Sequence, residues 1–409
     1  MTPKSNTSAD PICDFYTSHP YPPPVENLDR AREMYRDENV LRAEFHLFWP
    51  NKQYRADLDV LVAGCGTWQS AKHAICHPAA RVVGIDVSTT SLEHTNRLKQ
   101  KHNLTNLETH QVQIENVNEL DQRFDLIICT GVLHHLADPD AGLRALRSVL
   151  KPDGAMYLMV YAPYGRAGVY MLQDYCRRLG VGTSPQEIND LVAVLKVLPP
   201  YHPVLASQRG SRDFLNGDAL ADALLNPRDR SYSVPELFEF VERNGLTFGR
   251  WYWQAAYLPQ CGAISNTPHA DRLAELPERE QYAQLELWRG LMANHSFVVH
   301  HSDAKSGSPV RFDGDQYLSY VPVRLPWTIC VQERLPPGAA GALLNQTHLF
   351  NDLYLIIDPQ EKQMLDAIDG RRSIAEIVAE VKDAEPRARD FFEQLWWYDQ
   401  VVFDTSEKK

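Results

Sequence analysis

In Asp59–Ser70, DVLVAGCGTWQS, a β-branched apolar run meets Gly64 and Gly66 and then turns to helix-forming residues. A strand, a tight glycine turn and a helix bring bare backbone amides and the positive end of a helix dipole against a polar ligand. The dinucleotide pattern needs a third glycine for close packing around a pyrophosphate, and here Thr67, Trp68 and Gln69 follow instead. No Gly-Lys-Ser/Thr follows either, so a phosphate cradle is disfavoured and a plain αβ turn is the bland alternative. Asp86 ends the run RVVGID about twenty residues further on, where a carboxylate can accept both hydroxyls of a ribose. That placement points to a nucleoside without choosing one.

Two other groups have chemical potential. His134 and His135 follow the apolar run FDLIICT at the rim where ligands bind in open α/β sheets, so either could serve as a general base. Loop packing is the simpler reading, because methyl, acyl or hydride transfer does not always need a proton removed. KHAICH sets His73, Cys76 and His77 on one helical face at metal-ligand spacing. No fourth ligand is evident and the helix belongs to a packed layer, so no metal is assigned.

The elements that must position these residues alternate. Five parallel strands are expected near residues 58–63, 81–86, 107–113, 124–129 and 155–161, separated by amphipathic helices such as TTSLEHTNRLKQKH and DPDAGLRALRSVL. Residues 1–57 form an arm that starts with a polar tail and the proline-rich DFYTSHPYPPP. Residues 165–232 read as a helical insertion, TFGRWYWQAAY and HSFVVHH as two more strands, and 258–294 as a second, largely helical insertion. Residues 303–309, DAKSGSP, have linker composition, and 310–409 read as a small helical domain closed by a β-ribbon.

The 409 residues suffice for two or three domains. With 41 basic and 53 acidic residues, a net charge of −12 and no basic stripe, a general nucleic-acid binder is disfavoured. No apolar run reaches membrane-span length and the N-terminus lacks a signal-peptide core, so no membrane association is expected and the protein reads as cytoplasmic. Seven cysteines without a CxxC pair fit reduced thiols.

Taken in order, VLVAGCGT, GIDVS, FDLIICTGVLHHLADP and LRSVLKPDGAMYLMVY over residues 58–161 resemble four motifs of the class I S-adenosylmethionine-dependent methyltransferases. The resemblance implies a doubly wound, Rossmann-like seven-stranded sheet in a domain spanning 58–302, with S-adenosylmethionine as cofactor and S-adenosylhomocysteine as product. It implies that Gly64, Cys65 and Gly66 face the methionine part, that Asp86 and Val87 hold the ribose, that Gln113 and Ile114 border the adenine, and that Cys129 lies under the sulfonium. Trp68 departs from the small residue usual there. Tyr16 and Tyr21 resemble the aromatic lids of such enzymes, and Tyr161, Tyr164, Arg166 and Tyr170, just past the fifth strand, are expected at the acceptor. Arg230 and Tyr232 are within reach of it, although Ser233 and Glu236 read more simply as a helix cap. The C-terminal stretch around Asp369 and Gly370 is similar to winged-helix modules related to the pyrroloquinoline-quinone peptide chaperone, some of which hold a leader peptide.

The expectation is therefore a methyltransferase acting on a small organic molecule. A peptide or protein acceptor recruited by the C-terminal module is second, and RNA third. A cofactor-binding sensor or scaffold without turnover is the alternative of another class. A packing or dimerising C-terminal module, hence a homodimer, stays open.

Overall fold

A computed structural model describes residues 11–207, 217–303 and 310–407; the polar N-terminal tail and most of the expected linker lie outside them. The arm comprises α1 (Pro11–Ser18), α2 (Asp29–Met34) and α3 (Glu38–Phe48). Then the alternation begins: β1 (Asp59–Ala63), α4 (Gln69–Cys76), β2 (Arg81–Asp86), α5 (Thr89–Lys101), β3 (Leu107–Gln111), β4 (Phe124–Thr130), α6 (Pro139–Val149) and β5 (Leu150–Tyr161). Runs such as VLVA and LIIC are apolar throughout because both faces of a parallel sheet are covered by helices. The helix starts are set by local chemistry: Ser88 accepts from the Ser91 amide at 3.2 Å and Asp138 from the Ala141 amide at 2.9 Å, with Pro139 in the first turn.

β6 (Leu246–Trp251) and β7 (Asn294–His301) complete a seven-stranded sheet in the order β3-β2-β1-β4-β5-β7-β6. β1 pairs in parallel with β2 and β4, placing Leu61 beside Val83 and Ile127; β7 runs antiparallel to β5, with Phe297 opposite Leu158. The order reverses between β1 and β4, and the strand ends there open a crevice in which open α/β sheets bind ligands.

Two boundaries differ from the sequence reading. β5 starts at Leu150, not 155, because Lys151 Nζ bonds Asp59 Oδ2 at 2.6 Å and Asp125 Oδ2 at 2.8 Å, drawing the Lys-Pro-Asp-Gly turn onto the strand ends. The segment TFGRWYWQAAY leaves the sheet after Trp251, and Ala255–Tyr257 form a 3₁₀ turn.

The insertion after β5 holds α7 (Ala167–Leu179), α8 (Pro185–Leu195), α9 (Pro203–Ser207) and α10 (Gly217–Leu225). It has its own small core, formed by Val169, Leu172, Cys176, Leu191, Val204, Leu220 and Leu224. α11 (Val234–Arg243) follows, its Ser233 amide held by Glu236 Oε2 at 2.8 Å, and α12 (Ala270–Ala274) and α13 (Glu278–Arg289) precede β7.

The C-terminal part contains more strand than its sequence suggests. It comprises β8 (Val321–Arg324), β9 (Thr328–Val331), β10 (Gly341–Asn345), β11 (Tyr354–Ile357), α14 (Pro359–Asp366), α15 (Ile374–Glu380), α16 (Glu385–Trp397) and β12 (Val401–Asp404). β8 and β12 make the expected ribbon, and β9–β11 add a three-stranded antiparallel sheet. This part is not insulated from the rest: Phe312, Tyr320, Phe391, Phe392 and Phe403 belong to the same apolar cluster as Trp251 and Phe297 of the large sheet. Asp399, 1% exposed, ties the two together, accepting from the Ala255 amide at 3.0 Å and facing Arg250 and His348.

Candidate active site

A cavity of about 440 Å³ lies over the C-terminal ends of β1, β2, β4 and β5. Its floor is backbone. Gly64 and Gly66 sit at φ +68° and +55°, and a Cβ on Gly64 would stand 2.4 Å from Val132 Cγ2. A Cβ on Gly66 would meet the Tyr21 carbonyl oxygen at 2.7 Å, so the arm closes directly on the turn, where only glycine fits.

Asp86 lines the cavity and is 8% exposed. Its Oδ2 accepts from the Gly66 amide and its Oδ1 from the Ser88 amide, both at 2.8 Å. Burial pushes this carboxyl above its ordinary range, against the pull of the Ser88 and Gly66 amides. Each oxygen keeps a further lone pair for a hydroxyl. Val87, Gln113 and Ile114 are on the wall, joined by Val112, Leu136 and Glu115.

The opposite end is aromatic and cationic. Tyr161 lies under Arg166, whose Cζ is 3.5 Å from the ring centroid, and Arg166 Nη2 bonds Asp229 Oδ2 at 2.8 Å. The two charged side chains are 10% and 4% exposed, so the pair is nearly removed from water. Burial would lower the Arg166 pKa, but Tyr161 and Asp229 hold it raised. Tyr16 and Tyr21 come down from the arm onto the same cavity. The Tyr16 hydroxyl donates to Asp222 Oδ1 of α10 at 2.7 Å, and Ser88 Oγ donates to the Tyr16 carbonyl at 3.0 Å, so α1 bridges the sheet edge and the helical insertion. Burial first, and then Asp222, raise the Tyr16 pKa well above its ordinary value.

The two histidines separate. His135 is on the cavity wall, and its Nδ1 faces the Arg228 carbonyl oxygen at 2.5 Å. A carbonyl only accepts, so Nδ1 carries the hydrogen and Nε2 the lone pair; Nε2 is buried without a hydrogen-bond partner. His134 is fully buried outside the lining, stacked 3.8 Å from the Tyr161 ring with both ring nitrogens unbonded, and burial lowers its pKa well below the ordinary value. It supports the wall and does not reach the cavity.

Several other residues expected at the site are displaced from it. Cys65 and Cys129 are fully buried below the floor, and burial pushes the Cys129 thiol up to about 12. The alternation of a strand turns Cys129 inward and presents the next residue, Thr130, to the cavity. Tyr164 points to solvent at 44% exposure, and Tyr170 stands behind Arg166, 5.6 Å from ring centroid to Cζ. Tyr232 packs on Phe240 in the core, and Arg230 is exposed, its amide donating to the His134 carbonyl at 3.2 Å. The lining also takes Ala293 and Asn294 from the start of β7 and Trp68 and Gln69 from the glycine turn. The first pair carries no local signal; the second was open to view in the sequence.

Residues 55–169 match the family model described as a methyltransferase domain. The chain carries an S-adenosylmethionine-dependent methyltransferase domain. An uncharacterized protein of Synechococcus sp. is 29% identical over 273 residues, 65% of each chain. A ubiquinone biosynthesis O-methyltransferase of Neisseria meningitidis serogroup C is 32% identical over 99 residues, 24% of this chain and 42% of that one. The chain thus spans less than two thirds of the length of these curated relatives. The structure of PKMT2 from Rickettsia typhi superimposes with a TM-score of 0.64 at 17% identity, covering 90% of this chain and 75% of that one; its complex with AdoHcy gives 0.60. The shared fold therefore extends beyond the methyltransferase domain into the C-terminal part.

The residues present fit the cofactor. Asp86 offers a carboxylate suited to two hydroxyls, Val112, Ile114 and Leu136 offer an apolar slot for a base, and Gly64 and Gly66 put bare backbone on the cavity wall.

Proposed function

We propose that the protein methylates a small, uncharged organic acceptor. The observation that carries this reading is the continuity of one cavity from Asp86 and the glycine turn to Tyr161, Arg166 and His135 under a closed arm. S-adenosylmethionine, when bound, supplies a methyl group on a sulfonium; the chain's share is to hold, align and exclude water. Asp86 would hold the ribose; the amides of Gly64, Cys65 and Gly66 already donate to the Ile85 carbonyl and to Asp86, so the glycine turn would give the amino-acid part close approach to backbone, not amide hydrogen bonds. Arg166 is already neutralised by Asp229, so the far end favours a flat or apolar molecule over an anion. His135 Nε2 is the group free to take a proton from a hydroxyl or amine acceptor, and much of the remaining rate comes from alignment.

The test begins with calorimetry of S-adenosylhomocysteine. Asp86→Ala should lose about 2 kcal/mol or more of affinity, since each charge-assisted hydrogen bond contributes roughly 1.5–3 kcal/mol. Unchanged affinity in a folded variant would overturn the assignment. Release of S-adenosylhomocysteine is then followed against panels of phenolic and heterocyclic compounds and of peptides. With the true acceptor, His135→Gln should lower kcat roughly 10²-fold or more while cofactor affinity holds.

A peptide acceptor is the second reading. It is favoured by the outer face of the β9–β11 sheet, where Ile329, Val331, Tyr354 and Ile356 are exposed on one side. Turnover on peptides alone would promote it. Cofactor binding without turnover on either panel would leave the sensor reading.

A further inference from the structure

Behind the sheet, away from the cofactor cavity, α3 of the arm packs near α4, the helix that leaves the glycine turn. Glu44 of α3 and His73 and His77 of α4 each offer one ligating atom, and these atoms all lie within 4.8 Å of one another. His73 and His77 are one helical turn apart, their rings nearly parallel at 16° with centroids separated by 6.0 Å. The Glu44 carboxylate is met by His77 Nε2 at 3.3 Å, an ion-pair contact, and by the Tyr35 side chain. A carboxylate oxygen out of water is costly unless something positive or donating meets it. Tyr35, whose ring is 5.4 Å edge-on from His77, closes the group on its outer side. A cavity of about 80 Å³ opens beside the three residues, lined by Glu44, His73 and His77 together with Tyr54 and Arg55.

We propose that Glu44, His73 and His77 form a binding site for a divalent transition-metal cation of the zinc class, with water from the adjoining cavity completing the coordination. Two imidazoles and one carboxylate are a donor set that suits such a cation, and three protein ligands with an open fourth position are an established zinc geometry. Ligand bonds near 2.0–2.2 Å need the three atoms somewhat closer together than they stand, a closure within the reach of side-chain rotation. The donor set differs from the one the helix spacing suggests, because Cys76 lies on the same turn but outside the cluster, and Glu44, 29 residues before His73, takes its place. Bound there, the cation cross-links α3 to α4. Gln69, the first residue of α4, lines the cofactor cavity, so the site would fasten the arm to the element that carries the glycine turn.

The test uses the full chain, stripped with a chelator and titrated with zinc chloride by calorimetry, and in parallel with cobalt(II) followed by visible absorption. One equivalent should bind, the melting temperature should rise with zinc, and cobalt should give ligand-field bands of a low-coordinate nitrogen–oxygen site without a sulfur-to-metal charge-transfer band. His77→Ala and Glu44→Gln should each weaken binding at least roughly tenfold, since removing even a partner that orients a ligand costs about 10–100-fold. No saturable cobalt spectrum in the unaltered chain would overturn the site without recourse to any variant. A thiolate band would overturn the donor set in favour of Cys76, and equal zinc affinity in the unaltered chain and in His73→Ala/His77→Ala would place the binding elsewhere.

Discussion

The helical insertion and the C-terminal part are attached to the sheet in opposite ways. The insertion keeps an apolar core of its own, and it meets the arm through a small mixed joint: Tyr16 with Asp222, His19 with Asp218 at 3.1 Å, and Phe15 packed on Ile188 and Ala221. The C-terminal part has no separate core and continues that of the sheet. A unit with its own core and a small joint can shift as a body over the cavity, whereas a unit that completes another's core can only brace it. On this ground the insertion and arm belong to the working side of the molecule and the C-terminal part to its frame.

The hardest way to break the contrast is to remove the frame. A chain ending at residue 306 should be insoluble or melt early, because apolar surface of Trp251 and Phe297 loses its cover. A soluble, cofactor-binding product would show that the shared core is dispensable. Next in size, Asp229→Ala leaves the nearly buried Arg166 uncompensated, and breaking a buried pair in this way costs about 3–5 kcal/mol. Denaturant unfolding should show that loss, and the damage should fall on the insertion, with S-adenosylhomocysteine binding weakened less than acceptor turnover.

Acid should act on the large sheet that both parts share. His300, buried in β7 against the Gly154 carbonyl, has its pKa lowered by burial to about 4, below the ordinary 6.5 of an unfolded chain. Unfolding therefore takes up a proton between those values, so stability is full above pH 6.5 and falls as the pH drops toward 4, by about 3 kcal/mol in all. His300→Asn, which keeps a donor toward Gly154, should flatten the melting-temperature profile over that window; an unchanged slope would assign the acid sensitivity to other groups. The smallest effect is expected at the lid: Tyr16→Phe removes the bond to Asp222 and should cost about 1.5 kcal/mol of cofactor affinity with little change in melting temperature. A larger fall in melting temperature than in affinity would make the arm part of the frame.

What the sequence disclosed follows range. Gly64, Gly66 and Asp86 were legible because a tight turn and the residue ending the next strand are fixed by local backbone geometry. Tyr16 and Tyr21 were expected near the cofactor only by resemblance, and the partner of Tyr16, Asp222, lies 206 positions away on α10. Cys129 was misplaced by one residue of strand alternation, which sends a side chain to the opposite face. β9 and β11 escaped notice because each has only four residues, with the proline- and glycine-rich ERLPPG and the polar NQTHLFND on the connecting turns. Glu44 could not be joined to His73 and His77 by any spacing rule, since it stands on a different helix.

The ribbon strand β12 pairs with β8 along Val401–Asp404, and its Val402 sits among Ala43 and Leu47 of α3; just beyond, the Thr405 amide donates to the Pro50 carbonyl at 2.7 Å. Thr405 and Pro50 are 355 positions apart. At roughly 5–20 residues per second, a ribosome needs about 20–70 s to make the second after the first. Throughout that interval the Ala43 and Leu47 side of α3 waits for Val402, while Phe45 and Phe48 already have Val60 and Ala71 to pack on. A chaperone that meets the protein during translation would find Ala43 and Leu47 without Val402 until β12 is made.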